Sequence, residues 1–316
     1  MTVEGPELTL RPISGRDELD LFCRLPYTFN GELADDLHAG RRRPEWMWVA
    51  LRGDHLVARL AWWTRSAGAA PMLLDIFDLD DDSADPDRLD VGVRLLETAR
   101  AAVVATDAPT PEYDRFIPSD WREDTRTHRI VSERMTALER VGATLLVERL
   151  RLEWRPGTPV PPPTGRLEFR PADRREELID LMARVLDGTL DAHSRDDLTR
   201  MTPGEAAAFQ YEDELMAYTS PRDWWQVATL PGGGPVGFVI PARNDYNAII
   251  AYIGVLPEHR GHGYVDDILA EGTRLLAGRD VPRIRASTDL GNVPMAKAFD
   301  RAGYVNFERS ISMVWR

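Results

Sequence analysis

The chain has 316 residues, a formal net charge of -13 and an apolar share of 43%, so it is long enough for two globular domains of ordinary size. The excess of acidic residues argues against a nucleic-acid partner, because that interaction requires clustered Lys and Arg. It would favour a cationic partner such as an amine, but a generally acidic proteome explains the charge equally well. Cys23 is the single cysteine, so we expect no internal disulfide. No apolar run approaches the ~20 residues of a membrane span, and the start at Met1 to Glu4 lacks the charged-then-apolar plan of a secretion signal. We therefore expect a cytoplasmic protein without a membrane partner.

The first half of the chain, residues 1–154, is predicted to be one domain of strands and helices with an acidic segment in its middle. Eight aspartates lie between Asp75 and Asp90, and the stretch from Asp78 to Pro86 contains no glycine. Two like charges about 4 Å apart repel by about 1 kcal/mol in water and about 4 kcal/mol near a protein surface. We therefore expect this segment to reject a bound anion.

A proline-rich stretch, residues 155–165, is predicted to be a stiff, extended linker. Segments on its two sides repeat in the same order at the start, middle and end of each half, which predicts a tandem repeat of one fold. The matching segments are Leu8 to Pro12 with Leu167 to Pro171, Trp46 to Ala50 with Trp224 to Ala228, Ala137 to Gly142 with Ala298 to Gly303, and Trp154 with Trp315.

The second half, residues 166–316, is predicted to form a mixed, mostly antiparallel sheet flanked by helices, which is an α+β architecture. Glycines 232–234 and the Asn244-Asp245 pair mark turns between strands. The predicted strands are Arg166 to Arg170, Trp224 to Thr229, Val236 to Ala242, Ile249 to Val255, Ile284 to Ser287 and a closing strand Arg309 to Trp315, with helices at Arg174 to Leu186 and Tyr264 to Leu276.

A glycine turn between a predicted strand and a predicted helix indicates a phosphate-binding site. Gly261 and Gly263 permit positive φ angles, and the helix that begins at Tyr264 adds unpaired N–H groups and about half a positive charge. A Walker loop would need Gly-Lys-Ser/Thr, which is absent, and a dinucleotide fingerprint would need a third glycine where Asp266 stands.

A second motif follows about 30 residues downstream, at Thr288 to Tyr304. Asn292 precedes a predicted helix, Pro294 suits its first turn and Gly303 suits a left-handed cap at its end. One apolar helical face is formed by Met295, Ala298, Phe299 and Ala302.

The pattern Val-x-Pro-x-x-Arg-Gly-x-Gly, followed by the Asn-to-Gly-Tyr segment, resembles the two CoA-binding motifs of the GNAT acetyltransferases. The resemblance implies two tandem GNAT-like domains, of which the first is degenerate and lacks the CoA loop. It implies acetyl-CoA as co-substrate and no metal, and it gives Asn292 a contact with the pantetheine arm. The implied coenzyme-binding residues are Ile253, Gly254, Val255, Arg260, Gly261, His262, Gly263, Tyr264, Val265, Asn292 and Phe299.

In this family a neutral amine attacks the thioester directly, and backbone amides, here near Val255, polarise the carbonyl. Gly254 is expected to ease a distortion of that strand. The resemblance leaves the general base open among Tyr252, His193 and Glu212 of the acidic cluster 212–214, each of which also has a structural explanation. The usual general acid, a tyrosine, is replaced by Phe299.

Several expectations stay open at this point. Val265 replaces a small residue of the motif, and Asp266 and Asp267 bring negative charge towards the phosphates. His259 and His262 lie on a glycine turn rather than on one helical face, so no metal site is expected. We expect an N-acetyltransferase for a small-molecule amine, for which a homodimer is an open assembly. The alternative is a non-catalytic sensor or scaffold that binds CoA or acyl-CoA.

Overall fold

The computed structural model describes residues 7–83 and 85–316. Met1 to Glu4, on which the expectation of no secretion signal depends, and Ala84 of the acidic segment lie outside the described residues. The chain divides into two compact units. Unit 1 runs up to Val147 and includes Ser310–Arg316, and unit 2 is Glu148–Arg309.

The elements alternate in chain order as the repeat predicts. The first half contains β1 (Leu8–Pro12), α1 (Leu19–Phe22), α2 (Leu33–His38), β2 (Met47–Arg52), β3 (His55–Trp63), β4 (Leu73–Leu79), α3 (Arg88–Val103), β5 (Glu112–Pro118), α4 (Thr125–Arg140) and β6 (Ala143–Trp154). The second half contains β7 (Glu168–Pro171), α5 (Arg175–Val185), α6 (Ala192–Asp197), α7 (Pro203–Asp213), β8 (Gln226–Thr229), β9 (Pro235–Arg243), β10 (Ala248–Val255), α8 (Tyr264–Ala277), β11 (Ile284–Asp289), α9 (Val293–Arg301) and β12 (Val305–Trp315).

Unit 1 is a sheet with helices on both faces. Its strand order is β1-β2-β3-β4-β5, followed by the end of β12 and the start of β6. One face packs on α3 and α4 through residues such as Phe77 and Leu95, and the other packs on α1 and α2 through residues such as Phe22 and Leu33.

Unit 2 repeats this plan. Its strand order is β7-β8-β9-β10-β11, followed by the end of β6 and the start of β12. Helices α8 and α9 cover one face, with Ile268 and Phe299 in the core, and α5 and α7 cover the other, with Leu181 and Tyr211. Among the described residues, no helix has both the length and the apolar character that a membrane crossing requires.

The compact units differ from the predicted domains 1–154 and 166–316 in their closing strands. Residues 310–316 belong to unit 1, whereas 148–154 belong to unit 2. In unit 2, β6 pairs antiparallel with β11, from Arg149 opposite Asp289 to Trp154 opposite Ile284. The expectation that the strand ending at Trp315 closes the second domain is therefore wrong for its last residues.

The two units share the same local distortion. In β4 the extra residue of a bulge is Asp75, between the pairs Ala61–Ile76 and Trp62–Leu74. In β10 the extra residue is Ala251. After each bulge the strand leaves its parallel neighbour, since the pairing covers β4 with β5 at residues 73–74 and β10 with β11 at residues 248–249.

Candidate active site

The site begins where β10 and β11 separate. Their parallel pairing joins Ala248 to Ile284 and Ile249 to Arg285, at the start of both strands. The other edge of β10 stays paired with β9 as far as Val255 opposite Gly237. The diverging strands therefore leave a wedge, and backbone groups of β10 after the bulge face it rather than β11.

The glycine turn lies at the end of β10 and leads into α8. Gly261 has φ 81° and Gly263 has φ 73°, which are left-handed values that glycine adopts at little cost. Gly263 is the N-cap residue of α8 and supplies no side-chain cap. The first N–H groups of this 14-residue helix are thus directed at the mouth of the wedge.

The two acids of the first turn of α8 are paired with arginines of the chain. Asp266 binds Arg301 of α9 at 2.6 Å, and Asp267 binds Arg166. The Arg166 guanidinium also donates to the carbonyl of His262 at 3.1 Å and lies 5.3 Å from the ring centroid of Tyr264. The negative charges of Asp266 and Asp267 are therefore compensated by arginines. They repel an anion at the turn less than the sequence alone implies.

The Arg260 side chain turns away from the cradle. Its guanidinium donates to the carbonyls of Val185 at 2.8 Å and Asp187 at 2.6 Å, at the end of α5, and to that of Val255 at 3.2 Å. Arg260 therefore fixes the loop after α5 against the end of β10.

The same loop is held at its other end by β11. Asp289, the last residue of β11, accepts the backbone N–H of Ala192 at 2.6 Å and forms an ion pair with Arg149 at 3.1 Å. Asp191 caps α6 by accepting the Ser194 N–H at 2.8 Å. The loop 187–192 therefore extends from the glycine turn to the end of β11, across the open end of the wedge.

The Tyr252 hydroxyl lies in an acidic environment on β10. The ring packs edge-on against Phe238, with centroids 5.0 Å apart. Burial raises the pKa of Tyr252, and the charges of Asp191 and Glu214 raise it further, while the charge of Arg260 opposes them. Tyr252 is thus protonated at neutral pH, and two carboxylates from different elements lie near it.

Comparison with known proteins identifies this arrangement. Residues 188–304, which include the loop, β10, the glycine turn and α9, match the model of the acetyltransferase (GNAT) family. Unit 2 carries a GNAT acetyltransferase domain. No curated protein matches the chain.

Solved structures show that the whole chain has a tandem GNAT fold. A tandem GNAT protein from the clavulanic acid biosynthesis pathway is 16% identical, covers 97% of this chain and 98% of its own, and has a TM-score of 0.53. A GCN5-related N-acetyltransferase from Sphaerobacter thermophilus is 13% identical over 97% of this chain and 94% of its own, with a TM-score of 0.58. The predicted fold class, two GNAT-like domains with mixed sheets and flanking helices, is confirmed.

A third similar structure is the fungal glucosamine N-acetyltransferase region of a multi-domain GH3 β-N-acetylglucosaminidase. It is 14% identical, with a TM-score of 0.59 over 98% of this chain and 38% of that chain. At this identity the similarity concerns the fold alone.

Most of the predicted coenzyme residues of the GNAT domain lie at the wedge and the turn. Gly261, His262 and Gly263 form the exposed turn, and the His262 ring stacks on Tyr264 with centroids 5.8 Å apart. Three partly buried aliphatic side chains pack on the core of unit 2: Ile253, Val255 and Val265. Val265 therefore contributes to packing on this core.

Two predicted residues have structural roles that differ from the expectation. Phe299 is 1% exposed and packs against Tyr304 in the core, so its side chain is not available to a coenzyme. Gly254 does not relieve a strand distortion, because the bulge is at Ala251. A Cβ at Gly254 would lie 3.0 Å from a methyl of Val185, so the glycine allows α5 to pack on β10.

Asn292 caps α9, as its place directly before the predicted helix indicates, and its contact with the pantetheine arm stays a prediction. Its side-chain oxygen accepts the N–H of Met295 at 3.4 Å. Asn292 follows Asp289 by one turn, and its own N–H donates to the carbonyl of Asp289 at 2.9 Å. The motif therefore begins at the end of β11, next to the wedge.

The candidate bases do not all meet at the wedge. Glu212 is exposed on α7 and pairs with Arg175, which explains it structurally, and its catalytic role stays a prediction. Glu214 of the same cluster is half-buried, accepts the Tyr218 hydroxyl at 2.9 Å and influences Tyr252. The raised pKa of Tyr252 disfavours the tyrosinate form that a base would need. His193, on α6, lies beside Asp191 and Asp289.

The corresponding place in unit 1 is filled by ion pairs. Asp78 is buried, and Arg59, Arg115 and Arg134 bind its carboxylate at 2.8, 2.8 and 3.4 Å. The other seven aspartates of the acidic segment also have basic partners: Asp75 with Arg42, Asp80 with His55, Asp81 with Arg134, Asp82 with Arg126, Asp85 and Asp87 with Arg52, and Asp90 with Arg140.

These pairs correct the reason for which unit 1 would reject a phosphate. The charge of the segment is largely neutralised rather than strongly negative. On α4, Arg134 donates to the Asp81 carboxylate and Arg129 donates to the Asp81 carbonyl. The basic groups that an anion would need are already engaged. We still expect unit 1 to lack a CoA cradle, but because its basic groups are engaged in ion pairs rather than because the segment repels an anion.

Sequence reasoning missed Asp289, Arg149, Arg166 and the bridging role of Asp191. The available signals were weak: Asp289 directly precedes the Leu-Gly-Asn segment, and Asp191 is two residues from His193. Within residues 7–83 and 85–316, no group of three His, Cys, Asp or Glu side chains is arranged to hold a metal ion.

Proposed function

We propose that this protein is an acetyl-CoA-dependent N-acetyltransferase that acts on a small-molecule amine. The observation that carries the proposal is the turn at Gly261 and Gly263, whose left-handed φ angles direct the first amides of α8 to the mouth of the wedge. A diphosphate bound there would interact with aligned N–H groups and the positive helix end. The thioester would then extend between β10 and β11.

Charges on the other side of the wedge support an amine acceptor. Asp191 and Glu214 come from the loop before α6 and from the end of α7, and both influence the Tyr252 hydroxyl. Partly buried carboxylates favour a cationic group in a surrounding of lowered dielectric constant. The net charge of -13 would also attract a cation over longer distances.

The proposal is tested by calorimetry with acetyl-CoA and by thiol release across a panel of amines. Gly263→Trp should abolish binding, because it strains a left-handed position and fills the mouth of the cradle. Gly232→Trp is a matched control: Gly232 also has a positive φ (66°), but it lies in open space on the hairpin between β8 and β9. Binding that survives Gly263→Trp, or is lost equally in the control, contradicts the proposal.

The same experiment separates the enzyme from the alternative, a non-catalytic CoA sensor. The sensor is favoured by Phe299, which is buried in the core and stands where the family resemblance implies a tyrosine acid. Saturable acetyl-CoA binding without thiol release from any amine would favour the sensor. Release that depends on the amine concentration would favour the transferase.

A further inference from the structure

The loop 187–192 places His193 at the open end of the wedge. At one end of the loop the Asp187 carbonyl is bound by Arg260, and at the other the Ala192 N–H is bound by Asp289. The charge of Asp191 influences both Tyr252 on β10 and Asp289 on β11. His193 follows Ala192 directly and its charge acts on Asp289, so it lies near the end of β11, beside the wedge.

Charged groups from three elements surround His193. These are Asp191 directly before α6, Asp197 at its end, Asp289 on β11, and Arg149 on β6, which pairs with both Asp191 and Asp289. Arg200 pairs with Asp197 at 3.3 Å, so three carboxylates and two guanidinium groups leave an excess of one negative charge around the imidazole. Such a surrounding stabilises an imidazolium ion.

The pKa values of the carboxylates fit this description. Burial raises the pKa of Asp289 and the charge of Asp191 adds to the effect, while Arg149, the Ala192 N–H and His193 oppose it. Burial also opposes ionisation of Asp191, but Arg149 and the Ser194 N–H lower its pKa, and His193 contributes in the same direction. The imidazole is thus electrostatically coupled to both carboxylates.

We propose that His193 is the general base of the transfer and that Asp289 is the positioning residue that holds its helix against β11. The inference rests on the proposed function and adds to it the group that deprotonates the acceptor. Asp289 fixes α6 through the Ala192 N–H at 2.6 Å and contributes negative charge beside the imidazole.

In this step the acceptor ammonium gives one proton to the imidazole of His193. The neutral nitrogen then attacks the thioester carbonyl carbon, the N–C bond forms, the C–S bond breaks and the electron pair leaves with sulfur. The second proton leaves the nitrogen as the amide forms and goes to the thiolate, whose conjugate acid has a pKa of about 8.5 in an unperturbed thiol. His193 releases the first proton to solvent, which balances one ammonium and one thioester against one amide, one thiol and one proton.

The test compares pH profiles of kcat/KM for an amine that the wild type acetylates. His193→Gln should lower kcat/KM by about 10²-fold to 10³-fold at neutral pH. The deficit should shrink as the pH approaches the pKa of the free amine, because the amine then deprotonates without a base. Asp289→Asn keeps the acceptor for the Ala192 N–H but removes the charge, so the acidic limb of its profile should move to lower pH.

The controls are His38→Gln, an exposed histidine of unit 1, and Asp300→Asn, an exposed aspartate of α9. Both should retain the wild-type profile. A merely structural role of Asp289 would lower the rate without moving the acidic limb, and this result would overturn its assignment. A His193→Gln profile that coincides with that of the wild type would overturn the assignment of the base.

Calorimetry with acetyl-CoA distinguishes this failure from failure of the proposed function. His193→Gln and Asp289→Asn should bind acetyl-CoA as the wild type does, because neither residue belongs to the cradle. If the wild type acetylates an amine and His193→Gln does so with the same pH profile, only the base assignment is overturned. If the wild type binds acetyl-CoA and acetylates no amine, the coenzyme site stands but the proposed transferase function fails, and the base assignment fails with it. If the wild type does not bind acetyl-CoA, the proposed function itself fails.

Discussion

Arg260 belongs to the glycine turn by position and to the end of α5 by its contacts. Its guanidinium donates to three carbonyls. Those of Val185 and Asp187 lie at and just after the end of α5, where no following helical turn supplies an N–H donor. We expect Arg260→Gln to loosen the loop after α5, with a loss of about 1 kcal/mol of local stability. Hydrogen exchange of the Thr189 amide, which is bonded to the carbonyl of Leu186, should accelerate.

Arg222→Gln is the matched control, because Arg222 is exposed in the short turn before β8, away from the glycine turn. Its exchange pattern at residues 186–189 should match that of the wild type. If Arg260→Gln weakens acetyl-CoA binding without changing exchange in the loop, the guanidinium contacts the coenzyme directly and the anchoring role is wrong.

At the residue scale, the sequence predicted what local chemistry decides. The left-handed glycines at 261 and 263 and the cap at Asn292 follow from preferences within a few residues of chain. Arg149 and Asp289 meet across a strand pair between distant parts of the chain, and no local pattern marks that pairing. Phe299 was assigned to the coenzyme by motif position, whereas the apolar face of its helix places it in the core.

At the scale of elements, unit 1 encloses the ion pairs of Asp78 between β4, β3, β5 and α4. Arg115 and Arg59 lower the pKa of Asp78 to about 2, against the opposing effect of burial, which is the largest single influence. The folded pKa lies below the ordinary value of 3.8. The ion pairs therefore contribute fully above about pH 4 and are lost as the pH falls towards 2, which corresponds to about 2 kcal/mol.

We therefore expect the free energy of unfolding to fall between pH 5 and pH 2.5, and to fall by less in Asp78→Asn. The variant should also be less stable at neutral pH by about 3 to 5 kcal/mol, since it leaves three buried guanidinium groups with a neutral partner. Urea unfolding at both pH values measures these differences. Asp107→Asn, in an exposed turn, is the control; a pH dependence that Asp78→Asn leaves unchanged would show that other groups cause it.

The elements of unit 2 were predictable because their patterns are regular. The predicted helix 264–276 is α8, which the structure extends by one residue, and the predicted strand 249–255 is β10, which begins one residue earlier. The bulge at Ala251 was not predicted: β10 has no glycine or proline there, and the signal in the sequence was Pro241 of β9, which pairs with Ile250 next to the bulge. Its counterpart at Asp75 shows that the bulge belongs to the repeated fold rather than to one sequence.

For the whole molecule, the closing strands decide how the chain is divided. The sequence repeat placed each closing strand in its own half, because Trp154 and Trp315 end the two halves at matching positions. Strand length and alternation do not specify a partner, and either closing strand satisfies the same edge. Residues 310–316 are part of unit 1, so unit 1 is complete only when the last residues of the chain are present.

A deletion of residues 310–316 should therefore destabilise unit 1 first. It removes Met313 and Ile311, which are 0% and 2% exposed in the core of that unit, together with the Ser312 bond to Asp114 at 2.8 Å. Hydrogen exchange should accelerate in α3 and β5 before it does so in α8 and β9. Met313→Ala should cost about 2 to 5 kcal/mol in the free energy of unfolding, whereas Val305→Ala, 66% exposed at the start of the same strand, should cost less than about 0.5 kcal/mol. Earlier loss of protection in α8 would mean that the end of β12 stabilises unit 2 instead.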